Sequence, residues 1–319
     1  MPNLNIVIIG PADFGKEIGK KGTSTDITFY NLKKGDATLT LIEPTRYPEK
    51  LSSLFYAASL ADIAVVVIDK VTAQLGECIL ELNCARVSGG YLILRNYLDI
   101  GQIAPLIKGT VLEQYKVLPD DLNVLRETLL DDAAKLTEDR GTNPGIVPID
   151  HHFNVKGIGT VILGCVQAGT IHKHDQVTVH PLGKTIQIRS IQKHDDDVAE
   201  AYAGDRVGLA LKGIEAEDLD RGYVLTAAAG VKNVCEVTGK VTIIPYWPEP
   251  LKEQMVLYAG HWMQFLPCRV KKFDTSGDWR SAEITLTFEK ELTFLSGSSA
   301  VLHYLEGEKL RIVGTIQLP

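Results

Sequence analysis

Two textures divide the chain. Up to residue 138, short and almost unbroken apolar runs at 5–9, 38–42, 64–69 and 91–94 alternate with amphipathic stretches at 49–60, 72–86 and 120–136. Apolar runs of that length predict strands buried on both faces, as in a parallel sheet. Leucines at helical spacing behind the acids Asp120 and Asp121 predict a closing helix. A polar stretch with Gly and Pro at 137–148 reads as a linker. After it, β-branched runs separated by Gly- and Asp-containing turns recur at 159–166, 176–180, 185–191 and 206–211, and again at 236–244, 254–258, 282–288 and 309–316. That rhythm predicts all-β barrels. The expected architecture is an α/β domain at 1–138, a linker at 139–148 and two β-barrel domains at 149–229 and 230–319, split at the small-residue run Thr226-Ala-Ala-Ala-Gly230.

Composition narrows the class. A chain of 319 residues is long enough for two or three cores. The net charge of −7 argues against indiscriminate nucleic-acid binding but leaves room for a local basic patch. Five cysteines (Cys78, Cys84, Cys165, Cys235 and Cys268) form an odd set without metal-ligand pairing, as expected of reduced thiols in a cytoplasmic protein. The histidines His151, His152, His172, His174, His180 and His194 lack a four-ligand spacing. No run approaches the ~18 apolar residues of a membrane span, and no signal peptide is evident.

The sharpest chemical signal follows the first strand. Leu4-Asn-Ile-Val-Ile-Ile9 leads into Gly10-Pro11-Ala12-Asp13-Phe14-Gly15-Lys16-Glu17, with the Gly-x-x-x-x-Gly-Lys spacing of a phosphate-binding loop. Backbone N–H groups and the lysine of such a loop cradle phosphates, and the next residue, normally Ser or Thr, ligates magnesium. Here that residue is Glu17, either a hard oxygen ligand for the metal or an anion that repels the nucleotide.

The second half carries a resemblance. Asp150-His-His-Phe-Asn-Val-Lys-Gly-Ile-Gly-Thr-Val-Ile-Leu-Gly164, Arg189-Ser-Ile-Gln192, Ala203-Gly-Asp-Arg-Val-Gly208, Arg221-Gly-Tyr-Val-Leu225 and Leu310-Arg-Ile-Val-Gly314 resemble the barrel signatures of the translational GTPases. Among these, the selenocysteine-specific elongation factor is the nearest in pattern, beside elongation factor Tu and the gamma subunit of archaeal initiation factor 2. The resemblance covers essentially the whole chain, without the fourth domain of the selenocysteine factor. It implies a P-loop GTPase-like first domain, GTP and Mg2+ as cofactors, an aminoacyl-tRNA partner, a ribosome contact and a monomeric protein.

With that frame the first domain looks degenerate. The resemblance assigns GTP to Gly10, Asp13, Phe14, Gly15, Lys16 and Glu17, and the guanine base to Asn96, Tyr97 and Asp99, with Tyr97 where the motif has Lys. It assigns Mg2+ to Glu17, Ser24 and Glu43. The first switch shrinks to Lys20-Lys-Gly-Thr-Ser-Thr-Asp-Ile27, for which a solvated loop is the other reading. Tyr47 stands where a histidine orients the attacking water, so no catalytic residue remains and any GTP hydrolysis is expected to be slow. Asp150, His151 and Arg206 fall at the aminoacyl pocket, where an arginine would favour an anionic side chain such as a thiolate or selenolate; a structural ion pair is the other reading. Arg269, Lys271, Lys272 and Arg280 are either contacts for an acceptor stem or a solvated face. The expected role is a divergent elongation factor that protects or delivers a charged tRNA; the alternative is a pseudo-GTPase interaction module.

Overall fold

The computed structural model describes residues 2–35, 37–136, 143–274, 276–307 and 310–319. Two compact units divide the chain, Met1–Glu138 and Asp139–Pro319.

The first unit is built on a seven-stranded sheet: β1 (Asn3–Ile9), β2 (Lys20–Ser24), β3 (Thr28–Lys34), β4 (Ala37–Glu43), β5 (Ile63–Ile68), β6 (Gly89–Leu94) and β7 (Lys116–Leu118), in the order β2-β3-β4-β1-β5-β6-β7. The connecting helices are α1 (Leu51–Ser59), α2 (Ala73–Cys84), α3 (Ile100–Ile107) and α4 (Leu122–Lys135). β1 is buried along its whole length, and Leu4, Ile6 and Ile8 share a core with Leu125, Leu129 and Ala133 of α4. Each connection from β4 onward passes through a helix, which makes β4, β5, β6 and β7 parallel, and β1 lies parallel between β4 and β5.

The other edge departs from the expected all-parallel sheet: β3 is antiparallel to β4, and β2 to β3. The segment expected as a switch or a solvated loop is therefore an edge strand that turns into β3. Its residues explain why. Gly19 lies so close to β3 that an added Cβ would be 3.0 Å from the Asn31 backbone, and the stretch after it is polar and β-branched without helical periodicity. The phosphate-loop motif consequently leads into a single 3-10 turn, Phe14–Glu17, rather than a long helix. α3 escaped the sequence reading because Pro105 interrupts its pattern.

In the second unit, β8 (Ile146–Val155), β9 (Gly159–Cys165), β10 (Thr170–His172), β11 (Gln176–His180), β12 (Lys184–Lys193), β13 (Asp196–Val198), β14 (Glu200–Tyr202), β15 (Arg206–Lys212) and β16 (Val224–Thr226) make the first barrel. Pairing runs β11-β16-β8-β9-β15-β12, and a β11–β12 ladder closes the six-stranded ring. Strand alternation fills it: Val177 and Val179 point inward with Ile186, Ile188, Leu209 and Leu225. β17 (Val231–Ile243), β18 (Val256–His261), β19 (Gln264–Phe273), β20 (Glu283–Leu295), β21 (Ser299–His303) and β22 (Ile312–Gln317) form a second closed barrel. β8 begins at Ile146, inside the segment expected as linker, because Val147 and Ile149 belong to the barrel core. Residues 137–142 of that expected linker, and Lys309 of the last expected strand, lie outside the described residues.

Candidate functional site: a phosphate loop and a barrel rim

At the carboxyl ends of β1, β4 and β5 a half-open cleft of about 360 Å³ is lined by Gly10, Asp13, Glu43, Tyr47, Asp69 and Thr72, among others. Open α/β sheets bind ligands where neighbouring loops diverge in this way. β1 delivers Gly10, and Asp13 turns the chain with φ 60°. The turn then buries Phe14 and Gly15 and leaves Lys16 and Glu17 exposed.

Glu43 decides what this loop holds. Placed by the last residue of β4, it is 7% exposed, and its Oε1 accepts the Gly15 N–H at 2.5 Å while its Oε2 accepts that of Asp13 at 3.1 Å. The Tyr30 hydroxyl from β3 lies 3.2 Å from Oε2 and 2.9 Å from Asp13 Oδ1. Burial raises the Glu43 pKa, and the amide bonds of Gly15 and Asp13 with the Tyr30 hydroxyl pull it partly back. The loop amides that would hold a phosphate thus already hold a carboxylate. The space over Gly15 is also filled: a Cβ there would sit 2.6 Å from Tyr30 Cδ2.

The expected magnesium set does not assemble. Glu43 faces the loop amides, Ser24 Oγ is 2.9 Å from Thr28 Oγ1, and Glu17 is exposed, with its carbonyl accepting from Arg126 at 2.7 Å. Ser24 and Glu43 are separated by β3, about 10 Å across two strand spacings. Among the described residues no group of three His, Cys, Asp or Glu could hold a metal. With two loop amides already bonded to Glu43, a nucleotide phosphate would have to displace that carboxylate to bind here. The Phe14 ring is a core group beneath the Arg95 guanidinium, 5.4 Å from its ring centre.

The expected base residues are spent on local structure. Asp99 caps α3, accepting the Gln102 N–H at 3.1 Å, while Gln102 Oε1 accepts the Asp99 N–H at 2.9 Å. Asn96 donates to the Asp69 carbonyl at 3.1 Å, and Tyr97 is fully exposed. Neither Lys16, Asn96 nor Asp99 lines the cleft. Tyr47 does line it, with its hydroxyl turned to the Gln74 carbonyl at 3.0 Å and to Glu77 Oε2 at 2.9 Å.

In the second unit the charged residues named from the sequence do meet. The β8–β9 register shifts between Ile149 and His151, and this bulge turns the Asp150 side chain inward, where it is fully buried. Arg206, at the start of β15, reaches Asp150 through both terminal nitrogens. His151 Nδ1 lies 2.6 Å from Asp150 Oδ1, and Arg221 Nε donates to the Asp150 carbonyl at 3.0 Å. Burial alone would raise the Asp150 pKa; the charge of Arg206 and the bonds from His151 and Arg206 outweigh it and hold the carboxyl at about 2. The Arg206 guanidinium is thus committed to Asp150, and a bound anionic side chain would have to share it. Arg221 belongs to the cluster and was missed as a participant, although its Arg-Gly-Tyr stretch stands out in the sequence. In the second barrel, Lys271 pairs with Glu236 at 2.7 Å, and Arg280 donates to the Pro245 and Trp247 carbonyls at 3.1 and 2.9 Å.

An α/β unit with a Gly-Lys loop and two six-stranded barrels are the parts of a translation factor. Residues 159–226 match the family model for elongation factor Tu domain 2. The chain is 36% identical to an uncharacterized protein of Methanocaldococcus jannaschii across 100% of both chains. It is 26% identical to the selenocysteine-specific elongation factor of the same organism, over 85% of this chain and 66% of that one. Translation elongation factor SelB of Methanococcus maripaludis, in complex with the GTP analogue GppNHp, superposes with a TM-score of 0.82 at 23% identity, covering 100% of this chain and 79% of that one; at this identity the likeness is one of fold. The chain belongs to the translational GTPase family. No helix among the described residues is long and apolar enough to cross a membrane.

Proposed function

We propose that this chain is a translation factor that binds charged tRNA through its first barrel and works without a nucleotide cycle. The observation that carries the reading is the contrast between the intact Asp150–His151–Arg206 cluster, at the motif positions the family uses for the aminoacyl end, and a phosphate loop filled by Glu43. Arg206 and His151 each keep about a tenth of their side chains exposed, enough to meet a small group at the rim. Packing an ester against a barrel excludes the water that would hydrolyse it. Arg206 and His151 then supply donors for the esterified end while Asp150 fixes their direction.

The test follows ester hydrolysis across a panel of aminoacyl-tRNAs, with and without GTP. Slowed deacylation of at least one charged tRNA in the absence of nucleotide is expected. If no tRNA is protected, the binding role fails. If protection requires GTP, the chain is a nucleotide-dependent carrier instead.

A further inference from the structure

We propose that Glu43 is a built-in anion: its carboxylate occupies the phosphate-binding loop and keeps ligand phosphates out of it. This deepens the reading that the first unit works without a nucleotide, and it concerns one side chain that the barrel site does not use.

Two backbone amides, of Gly15 and Asp13, donate to Glu43, and the Tyr30 hydroxyl, with its single proton, lies 3.2 Å from Glu43 Oε2 and 2.9 Å from Asp13 Oδ1. Loop amides of this kind carry partial positive charge and bind anions in the absence of a side-chain cation. Here the anion comes from the protein itself. Beside it stands the Asp13 carboxylate, which shares the Tyr30 hydroxyl with Glu43 and lies 3.9 Å from Lys21 Nζ. A phosphate entering the loop would compete for the same two amides and add charge beside two carboxylates.

The plug is also anchored. Glu43 ends a central strand, with Ile42 registered against Val7 of β1 and Glu43 itself against Thr28 of β3. Withdrawing the carboxylate therefore means moving sheet backbone, whereas a mobile loop could simply swing aside. Tyr30, packed over Gly15, covers the same space. A substitution at Glu43 thus frees the two loop amides while Tyr30 stays over Gly15.

Removing the carboxylate while leaving its donors should create a small oxyanion site. In the full chain, Glu43→Ala is titrated with formate, acetate and inorganic phosphate at matched ionic strength, and melting of the first unit is followed by helical circular dichroism. The variant should melt below the wild type, and one or more of these anions should raise its melting point, each further tenfold in anion concentration above its Kd raising the folded-to-unfolded ratio about tenfold. The wild type should show no such response. Glu43→Gln, which still fills the space, should be destabilised without rescue.

Anion-independent melting of a folded Glu43→Ala overturns the proposal. So does phosphate or GTP binding by the wild type as tight as by the variant. Should Glu43→Ala not fold, hydrogen exchange of the Gly15 amide in the wild type decides. Exchange only on global opening of the first unit supports the plug, and exchange at the rate of an exposed loop amide overturns it. Ester protection by the wild-type chain is read separately, so the barrel's role and the plug can fail independently.

Discussion

Glu43 and Asp150 are both buried carboxylates, and their surroundings are opposite. Asp150 is held by two ionisable side chains, Arg206 and His151, and its pKa falls to about 2. Glu43 is held by two backbone amides and a phenol, and burial shifts its pKa upward. The difference separates a carboxylate paired with charged side chains from one satisfied by backbone. A carboxylate paired with charged side chains fixes the direction of their charge, whereas one that consumes loop amides uses up the donors a ligand would need.

The largest effect should come from cutting the charged side of this comparison. Arg206→Met leaves Asp150 buried without its cation and should cost the barrel unit about 3–5 kcal/mol. Trp247, Trp262 and Trp279 all lie in that unit, so urea unfolding followed by tryptophan fluorescence reads it selectively. A loss under about 1 kcal/mol would show that Asp150 does not depend on Arg206.

On the amide side, Glu43→Gln sets an NH2 group against an N–H donor. It should cost the first unit up to about 3 kcal/mol, seen in the circular dichroism of α1 to α4 and absent from the fluorescence transition.

Acid sharpens the contrast through its sign. Asp150 has a depressed pKa, so its contribution of about 2 kcal/mol is present above its ordinary value of 3.8 and is lost as pH falls toward about 2. Glu43 is shifted upward, so its ionisation lowers the stability of the folded first unit as pH rises from 4.5 through the raised value, above which it is the anion that fills the loop. Asp62, raised by burial despite bonds from Asn5, adds to the same trend. In the pH range below 3.8 the fluorescence transition should weaken while these two groups favour the first unit; parallel weakening of both would break the comparison.

The smallest effect tests the base motif. Asp99→Ala removes the capping box of α3 and should cost about 1 kcal/mol in the first unit, without altering any response to GTP. A change in nucleotide response would return Asp99 to ligand binding.

Much of the fold was legible because it is written in local periods. The apolar run at 6–9 that ends β1 and the alternation of β11 and β12 depend on neighbours a few residues apart. The cluster of Asp150, His151 and Arg206 was legible for another reason, since its motifs resemble a family whose barrels carry charge there. The antiparallel edge was not legible: Lys20–Ser24 is polar enough to pass for a loop, and only its pairing with β3 makes it a strand.

What the sequence determined by itself was therefore the division into an α/β unit and two barrels, the Gly-Lys loop and the identity of the charged rim. What only the tertiary structure decided was who pairs with whom. Glu43 meets Gly15 across 28 residues, and Arg206 meets Asp150 across 56. No local pattern encodes such meetings, because they follow from strand order and register. The bulge that buries Asp150 and the strand end that aims Glu43 into the loop are consequences of hydrogen-bonded ladders, which exist only once the sheets have formed.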